Sequence, residues 1–434
     1  MIRNYCFSLI NYLRRHKIRT AIGGILLLWY IFCLPSPLFK EGYATVVESR
    51  EGKLLGGKIA PDGQWRFPER DTVPYKLRKA ILTYEDAHFY YHWGVNPVST
   101  VKALLTNLRH GHTVRGGSTL TQQVIRLARK NKARTYGEKL IEAIWATRLE
   151  FRYSKEKILA LYASHAPFGG NVIGADMAAW RYFGVSLEQL SWAEACTLAV
   201  LPNAPGLIFP GHNQNALKKK RDFLLEKLLK NHTIDKTTYE LSLEEPLVER
   251  PHELPNIAPH LVERIARTTP NKRQVTTIDY YLQERVQEVI AKYYRHYKRF
   301  EVHNLCALVV DIQSREILAY VGNSPTDEQH QKDVNIIHRP RSTGSVLKPF
   351  LYAAMLDSSE LLPQELVGDI PTHIGGYSPE NFENTYEGAV PADEALYRSL
   401  NIPFVLLLRQ YGISRFYQQL QKLRLRSINR SPDH

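Results

Sequence analysis

Apolar positions along the 434-residue chain change period several times, and each change marks an element. The first is the unbroken apolar run Ala21 to Leu34. It is shorter than the ~20 residues of an ideal spanning helix, but Ile18, Thr20 and the stretch to Leu38-Phe39 bring it within range. Arg3, Arg14, Arg15, Lys17 and Arg19 precede the run, and no acidic residue does. Pro35-Ser36-Pro37 follow it without an Ala-x-Ala cleavage pattern. This reads as an uncleaved transmembrane anchor. The positive-inside rule then keeps the basic flank in the cytoplasm and places everything after about residue 40 outside. Next, Ala44 to Val47 and Leu54 to Ile59 flank Arg50-Glu51-Gly52, which predicts a short hairpin over residues 43–59.

From Pro74 to about Val200 the pattern is helical. Pro74 suits a helix start, and Leu77, Ala80, Ile81 and Tyr84 repeat at helical spacing. Ser186-Leu187-Glu188-Gln189 and Ser191-Trp192-Ala193-Glu194 both have the capping-box form, and the second opens an apolar helix that should stop before Pro202. A helix over 216–230 carries Lys218-Lys219-Lys220-Arg221, which reads as a solvated face. Pro246, Pro251, Pro255 and Pro259 mark a stiff connector. Beyond it, Val275 to Ile278 predicts a strand and Leu282 to Tyr294 a helix. Leu305 to Val310 and Ile317 to Val321 predict a hairpin.

Composition narrows the class. The apolar and charged fractions are those of a folded protein, and the length suits two or three domains. A net charge of +14 implies anionic partners: nucleic acid, anionic lipid or a phosphorylated substrate. No nucleic-acid motif accompanies the basic run, so a nucleic-acid partner is not expected. Cys6, Cys33, Cys196 and Cys306 are scattered, which excludes a zinc ribbon and a disulfide scaffold.

Candidate chemistry gathers between residues 85 and 150. Glu85 and Asp86 close a predicted helix and run into aromatics, where a carboxyl can act as acid or base. Read alone, the same pair is a surface acidic pair. His88 and His92, four apart, read either as a metal pair or as residues where a helix has already ended before Gly94 and Pro97. Gly116-Gly117-Ser118-Thr119-Leu120-Thr121-Gln122-Gln123 is a loop entering a helix, a junction that exposes donors to an anion. Arg126, Arg134, Lys139 and Glu142 follow. Lys139 and Glu142 share a helix face, either as a surface ion pair or as part of a site for a phosphorylated leaving group.

Taken together, these segments resemble a known family. EDAHFYYHWG is similar to the first motif of the peptidoglycan glycosyltransferases, glycosyltransferase family 51, and RGGSTLTQQVIR to the second. EKLIEAIWATRLE resembles the third. SKEKILALY, with Phe168-Gly169-Gly170 to Tyr182-Phe183-Gly184, resembles the fourth, and LSWAEACTLAVLPNAPG the fifth. All five occur in order over residues 85–206. The resemblance implies Glu85 as catalytic base and Glu142 as second essential carboxylate. It implies Arg126, Arg134 and Lys139 as cations on the donor pyrophosphate, and Ser118, Thr119, Gln122 and Gln123 as a donor-contacting loop. No cofactor is required, and Glu142 is the candidate holder of a Mg²⁺ or Mn²⁺ ion. The chain departs from the family pattern in three places. Arg126 stands where lysine is common, Glu138 where arginine often precedes Lys139, and Tyr162-Ala163-Ser164 replaces Tyr-Leu-Asn.

Ser345-Val346-Leu347-Lys348 is a SxxK arrangement, in which Lys348 is three residues from the Ser345 hydroxyl that it would activate. With Gly344 before it, Pro349-Phe350 after it, and Ser399-Leu400-Asn401 as a Ser-x-Asn element, it resembles the transpeptidase domain of class A penicillin-binding proteins. No Lys-Thr-Gly follows Asn401. The expected fold is therefore α+β: one N-terminal transmembrane helix, a mostly α-helical lysozyme-like glycosyltransferase domain, and an incomplete α/β transpeptidase domain lacking half its sheet and its acylation chemistry. Boundaries are placed at 1–40 for tail and anchor, 41–212 for the glycosyltransferase, 213–274 for a helical and Pro-rich linker, and 275–434 for the truncated domain. The implied activity is polymerisation of lipid II into β-1,4 glycan strands with release of undecaprenyl diphosphate, at the outer face of a bacterial cytoplasmic membrane. Implied partners are lipid II, the nascent strand, membrane lipid and other cell-wall synthesis proteins. A lysozyme-like hydrolase and a non-catalytic lipid II-binding scaffold are the alternatives.

Overall fold

The computed structural model describes residues 16–110, 117–132, 135–203, 205–425 and Ile428. Arg3, Arg14, Arg15, Gly116 and Arg134, named above, lie outside the described residues, as does the stretch Arg430 to His434. The chain forms two compact units, Met1–Ile337 and His338–His434.

In the first unit, the helix Tyr75–Glu85 packs on Trp192–Val200, and Gln214–Lys230 packs on both. Leu120–Ala128 lies against Tyr136–Arg152 and Lys155–His165. Leu77, Ile81, Phe89, Leu120, Ile125, Leu149, Ile158 and Leu198 build one core, and Leu217, Leu224, Leu225 and Leu228 of the 214–230 helix join it. Both capping boxes form: Ser186 opens a 3-10 turn and Ser191 the helix Trp192–Val200.

The predicted hairpin is present. Thr45–Glu48 pairs antiparallel with Leu54–Lys58, with a bulge at Val47/Glu48. What the pattern did not reveal is that Arg273–Val275 pairs parallel to the other edge of Thr45–Glu48. The sheet thus closes across more than two hundred residues of intervening chain, the sort of crossover that local periodicity does not encode. Alternation along this one strand splits two cores. Val46 faces the helical core, whereas Val47 faces a second core with Leu55, Ala258, Val262, Ile278 and Tyr320.

By contacts the first compact unit runs to Ile337, because Ile257 and Ala258 donate to Leu55 O and the helix Pro259–Thr268 packs on the same sheet. The helix Tyr280–Tyr297 and the hairpin Ala307–Val310 with Ile317–Val321 also belong to it. The 214–230 helix is core, not linker. The basic run is likewise not one solvated face. Arg221 is 1% exposed and donates to the Glu245 and Leu243 carbonyls at the end of the helix Lys236–Glu244. There its charge meets the negative end of the helix dipole.

The apolar N-terminal run forms the helix Lys17–Phe32. Sixteen residues span about 24 Å. Among the described residues no helix is long and apolar enough to cross a membrane. Its apolar side chains are exposed, Leu27 at 59% and Phe32 at 75%. Its end is fixed to the helix Tyr136–Arg152. Tyr30 Oη meets Thr147 Oγ1 at 3.1 Å, Arg148 donates to Ile31 O, and Arg152 donates to Pro35 O.

In the second unit, the helices Lys348–Asp357, Ala392–Tyr397, Asn401–Tyr411 and Ile413–Lys422 enclose Met355, Leu407 and Tyr411. Its β-structure among the described residues is the antiparallel pair Leu366–Asp369 with Gly388–Pro391 and an isolated bridge between Ile374 and Tyr377.

Candidate active site

Glu85 is the last residue of the helix Tyr75–Glu85, and it lines a groove of about 1580 Å³. The same groove is lined by Asp86, His88, Ser118, Thr119, Gln123, Arg126 and Tyr162. Gln123 Nε2 donates to Glu85 Oε2 at 2.7 Å. Burial pushes the Glu85 carboxyl above the ordinary carboxylate range. The Gln123 bond opposes that shift, the neighbouring Asp86 charge adds to it, and Lys220 and Arg126 act against it.

Asp86 ties the turn after Glu85 to the next helix. It is buried, and its Oδ2 accepts from His92 Nε2 at 2.9 Å and from Leu120 N at 3.0 Å. Leu120 is the first residue of the helix that carries Gln123 and Arg126, so an anion sits at that helix's positive end. Lys155 Nζ donates to His92 O, and Thr119 Oγ1 donates to Gly94 O at 2.6 Å. Gly94 has φ +82°, and a Cβ there would lie 2.6 Å from Ala146 O, so only glycine fits this turn. The two histidines do not converge: His92 is hydrogen-bonded to Asp86, while His88 is exposed at the other end of a 3-10 turn. Among the described residues no group of three metal-type ligands exists.

The hydroxyl loop divides by role. Thr119 and Gln122 form a reciprocal capping box that starts the helix Leu120–Ala128. Ser118 Oγ accepts from Arg126 Nη2 at 3.1 Å, and Gln123 holds Glu85. Arg126 also binds both oxygens of Glu142, its Nε and Nη2 each at 2.9 Å, while Glu142 is 4% exposed. That bidentate geometry suits arginine and not lysine. Lys139 and Glu142 do not pair. Lys139 is exposed, and Glu138 instead binds Arg129. Lys220 donates at 3.2 Å to Oδ1 of Asn203, which lines the groove, and its charge reaches Glu85.

Asp86, His92 and Gly94 shape the turn beside Glu85, a structural part that the sequence pattern did not give them. Their signal was present, since an acidic residue, a histidine and a glycine stand at fixed offsets around one turn. The pairing of Asp86 with Leu120 N is tertiary and had no sequence signal.

In the second unit, the helix Lys348–Asp357 begins at Lys348, and Ser345 sits exposed in the 3-10 turn before it. Lys348 Nζ donates to Ser399 O at 2.7 Å and to Asn401 Oδ1 at 2.7 Å, with Ser399 Oγ at 3.3 Å. Burial lowers its pKa from the usual lysine range. The lysine thus joins the Ser-x-Asn element and makes no hydrogen bond to Ser345 among the described residues.

Comparison with known proteins assigns a family to the segment around each of these clusters. Residues 56–229 match the transglycosylase family, and residues 305–429 match the penicillin-binding protein transpeptidase domain. Penicillin-binding protein 1C of Escherichia coli (strain K12) is 35% identical over 393 residues, which cover 90% of this chain and 51% of that protein. Penicillin-binding protein 1B of Vibrio cholerae is 29% identical over 399 residues, covering 86% and 51%. The chain spans about half the length of these curated relatives. The crystal structure of penicillin-binding protein 1A from Haemophilus influenzae is 18% identical, covers 89% of this chain and 64% of that one, and superposes with a TM-score of 0.39, too low to bear on the fold. With a transglycosylase domain carrying the Glu85 groove and a transpeptidase-type segment carrying the Lys348 cluster, the chain belongs to the class A penicillin-binding proteins.

Proposed function

We propose that the Glu85 groove polymerises lipid II into β-1,4 glycan strands. The observation that carries this reading is the pairing of a desolvated carboxylate, Glu85, with a separate cationic cluster on the next helix, Arg126 locked by Glu142 and Ser118. A hydrolase acting on neutral linkages needs the carboxylate but no cation for a departing pyrophosphate.

In the proposed reaction, Glu85 takes the proton from the 4-hydroxyl of the acceptor sugar. That oxygen attacks the anomeric carbon of the growing chain, inverting it, and the lipid pyrophosphate leaves with the bonding pair. Arg126 stabilises the charge that develops on the leaving oxygen, and the family resemblance adds Lys139 and Arg134 as further cations for the pyrophosphate. Gln123 orients Glu85. Glu142 acts through Arg126. A divalent ion at Glu142 fits poorly, because both of its oxygens already accept from Arg126. No step is routed through a metal. The apolar helix Lys17–Phe32 with its basic flank supports a single-pass anchor that holds the groove at the outer face of the bilayer, where both substrates are lipid-linked. For the second unit, we propose that this chain alone does not acylate at Ser345, since it holds no Lys-Thr-Gly element to form the other wall of that site.

The test is polymerisation of purified lipid II by the wild-type chain and by Glu85→Gln. A fall of about 10²- to 10⁴-fold in the variant is expected for loss of a general base. Full activity in the variant overturns the assignment. Release of muropeptides from finished cell wall would favour a hydrolase instead, and lipid II binding without turnover a scaffold.

A further inference from the structure

Tyr162 lies on the helix Lys155–His165 and is 2% exposed. Its ring is core, but its hydroxyl has no hydrogen-bond partner among the described residues. Tyr162 lines the Glu85 groove, on a segment that also contributes Ala166 and Pro167, and its hydroxyl is buried behind that lining. His92 Nδ1, another unpartnered polar atom in the groove lining, differs in kind: the His92 ring is already anchored through Nε2 to Asp86. Tyr162 is anchored by nothing polar.

A buried hydroxyl without a partner costs free energy, and phenylalanine would fill the same space without that cost. Such a group is tolerated where a ligand completes its bonding. Burial, together with the nearby Glu85 and Tyr84, holds the phenol well above its ordinary pKa, so it stays protonated and remains a donor. The opposite chemistry is found on the helix Leu120–Ala128, where Gln123 and Arg126 are already engaged by Glu85, Glu142 and Ser118. Tyr162 is thus a free neutral donor close to the base and on a different helix from the cations.

We infer that Tyr162 Oη donates a hydrogen bond to an oxygen of the acceptor sugar beside the hydroxyl that Glu85 deprotonates, and so aims that hydroxyl at the anomeric carbon. A pyranose carries oxygen or amide substituents on adjacent carbons, so one sugar can meet both groups at once. This role rests on the glycosyl-transfer reading above and adds to it the group that orients the acceptor.

The experiment is Tyr162→Phe in the full chain, with lipid II as substrate, followed by kcat, KM, the acid limb of the pH profile and the thermal midpoint. The expected result is a loss of about tenfold in kcat/KM, mainly in kcat, as one neutral hydrogen bond in the transition state is removed. The acid limb should keep its position, since Glu85 remains the base. The thermal midpoint should hold or rise, because an unpaired buried hydroxyl has gone. Kinetics within twofold of wild type overturn the proposal, as does an activity loss that merely follows a lowered midpoint. If the wild-type chain itself fails to polymerise lipid II, the functional reading is what fails, and this role falls with it.

Discussion

Glu142 is either a partner that orients Arg126 or a ligand that holds a cation, and the two roles predict different double mutants. Both Glu142 oxygens accept from Arg126 at 2.9 Å, and Arg126 Nη2 reaches Ser118 Oγ at 3.1 Å. Removing the guanidinium in Arg126→Ala deletes a cation aimed at the leaving group and should lower kcat by about 100-fold, or about 2.7 kcal/mol of barrier. Glu142→Gln keeps Arg126 but removes its charged bidentate acceptor, so the guanidinium is no longer held toward Ser118. A loss of about 30- to 100-fold is expected from misplacement. If Glu142 acts only through Arg126, the double variant is no worse than Arg126→Ala alone, and the coupling energy is about 2 kcal/mol or more. Glu142→Gln should also lower stability by about 2 kcal/mol. That is less than for a fully enclosed pair, because the Arg126 side chain is 15% exposed toward the groove. The assay is initial-rate polymerisation of lipid II by the four proteins, with and without chelator. A double variant whose loss is near the product of the single losses refutes the positioning role. So does activity in the wild type that vanishes with chelator and is insensitive to Glu142→Gln in its absence.

Gln123→Ala should move the acid limb of kcat/KM to higher pH. The Gln123 bond holds down a carboxyl already raised by burial, and a base works only when deprotonated, so activity is lost sooner as pH falls. An unchanged or lowered limb contradicts that assignment. Gly94→Ala should destabilise the first unit by more than about 2 kcal/mol in denaturant unfolding, since φ is +82° and Ala146 O lies 2.6 Å from the added Cβ. A shift under about 0.5 kcal/mol would show that the turn can give way. Incubation of the chain with a fluorescent penicillin should leave no covalent label, with Ser345→Ala as the control. A label lost in that control would show that Ser345 acylates without a Lys-Thr-Gly element.

Much of the groove lining was legible in the sequence. Glu85, Gln123, Arg126 and Glu142 sit in motifs whose order along the chain carries the family resemblance, and the helices bearing them follow from apolar spacing and capping residues. The roles within the set were not legible. Thr119 and Gln122 look like donors in sequence, yet they form the helix cap, and Lys139 looks like a partner of Glu142 three residues on, yet Arg126 takes both carboxylate oxygens. Helical spacing says which residues share a face. It does not say what another helix presents to that face.

By itself, the sequence determined the local elements: the hairpin at Thr45–Glu48 and Leu54–Lys58, the capped helices, and the clustering of acidic, hydroxyl and basic groups between 85 and 142. These depend on backbone preferences and on residues a few positions apart. The tertiary structure decided the rest. It gave Thr45–Glu48 a parallel partner at Arg273–Val275, and so carried the first unit to Ile337. It buried Arg221 out of a run that reads as solvated, joined Asp86 to Leu120 N, and left the Tyr162 hydroxyl unpaired beside the base. The physical reason is the same in each case. Burial and hydrogen-bond satisfaction are set by groups distant in the chain, and only folding brings those groups together.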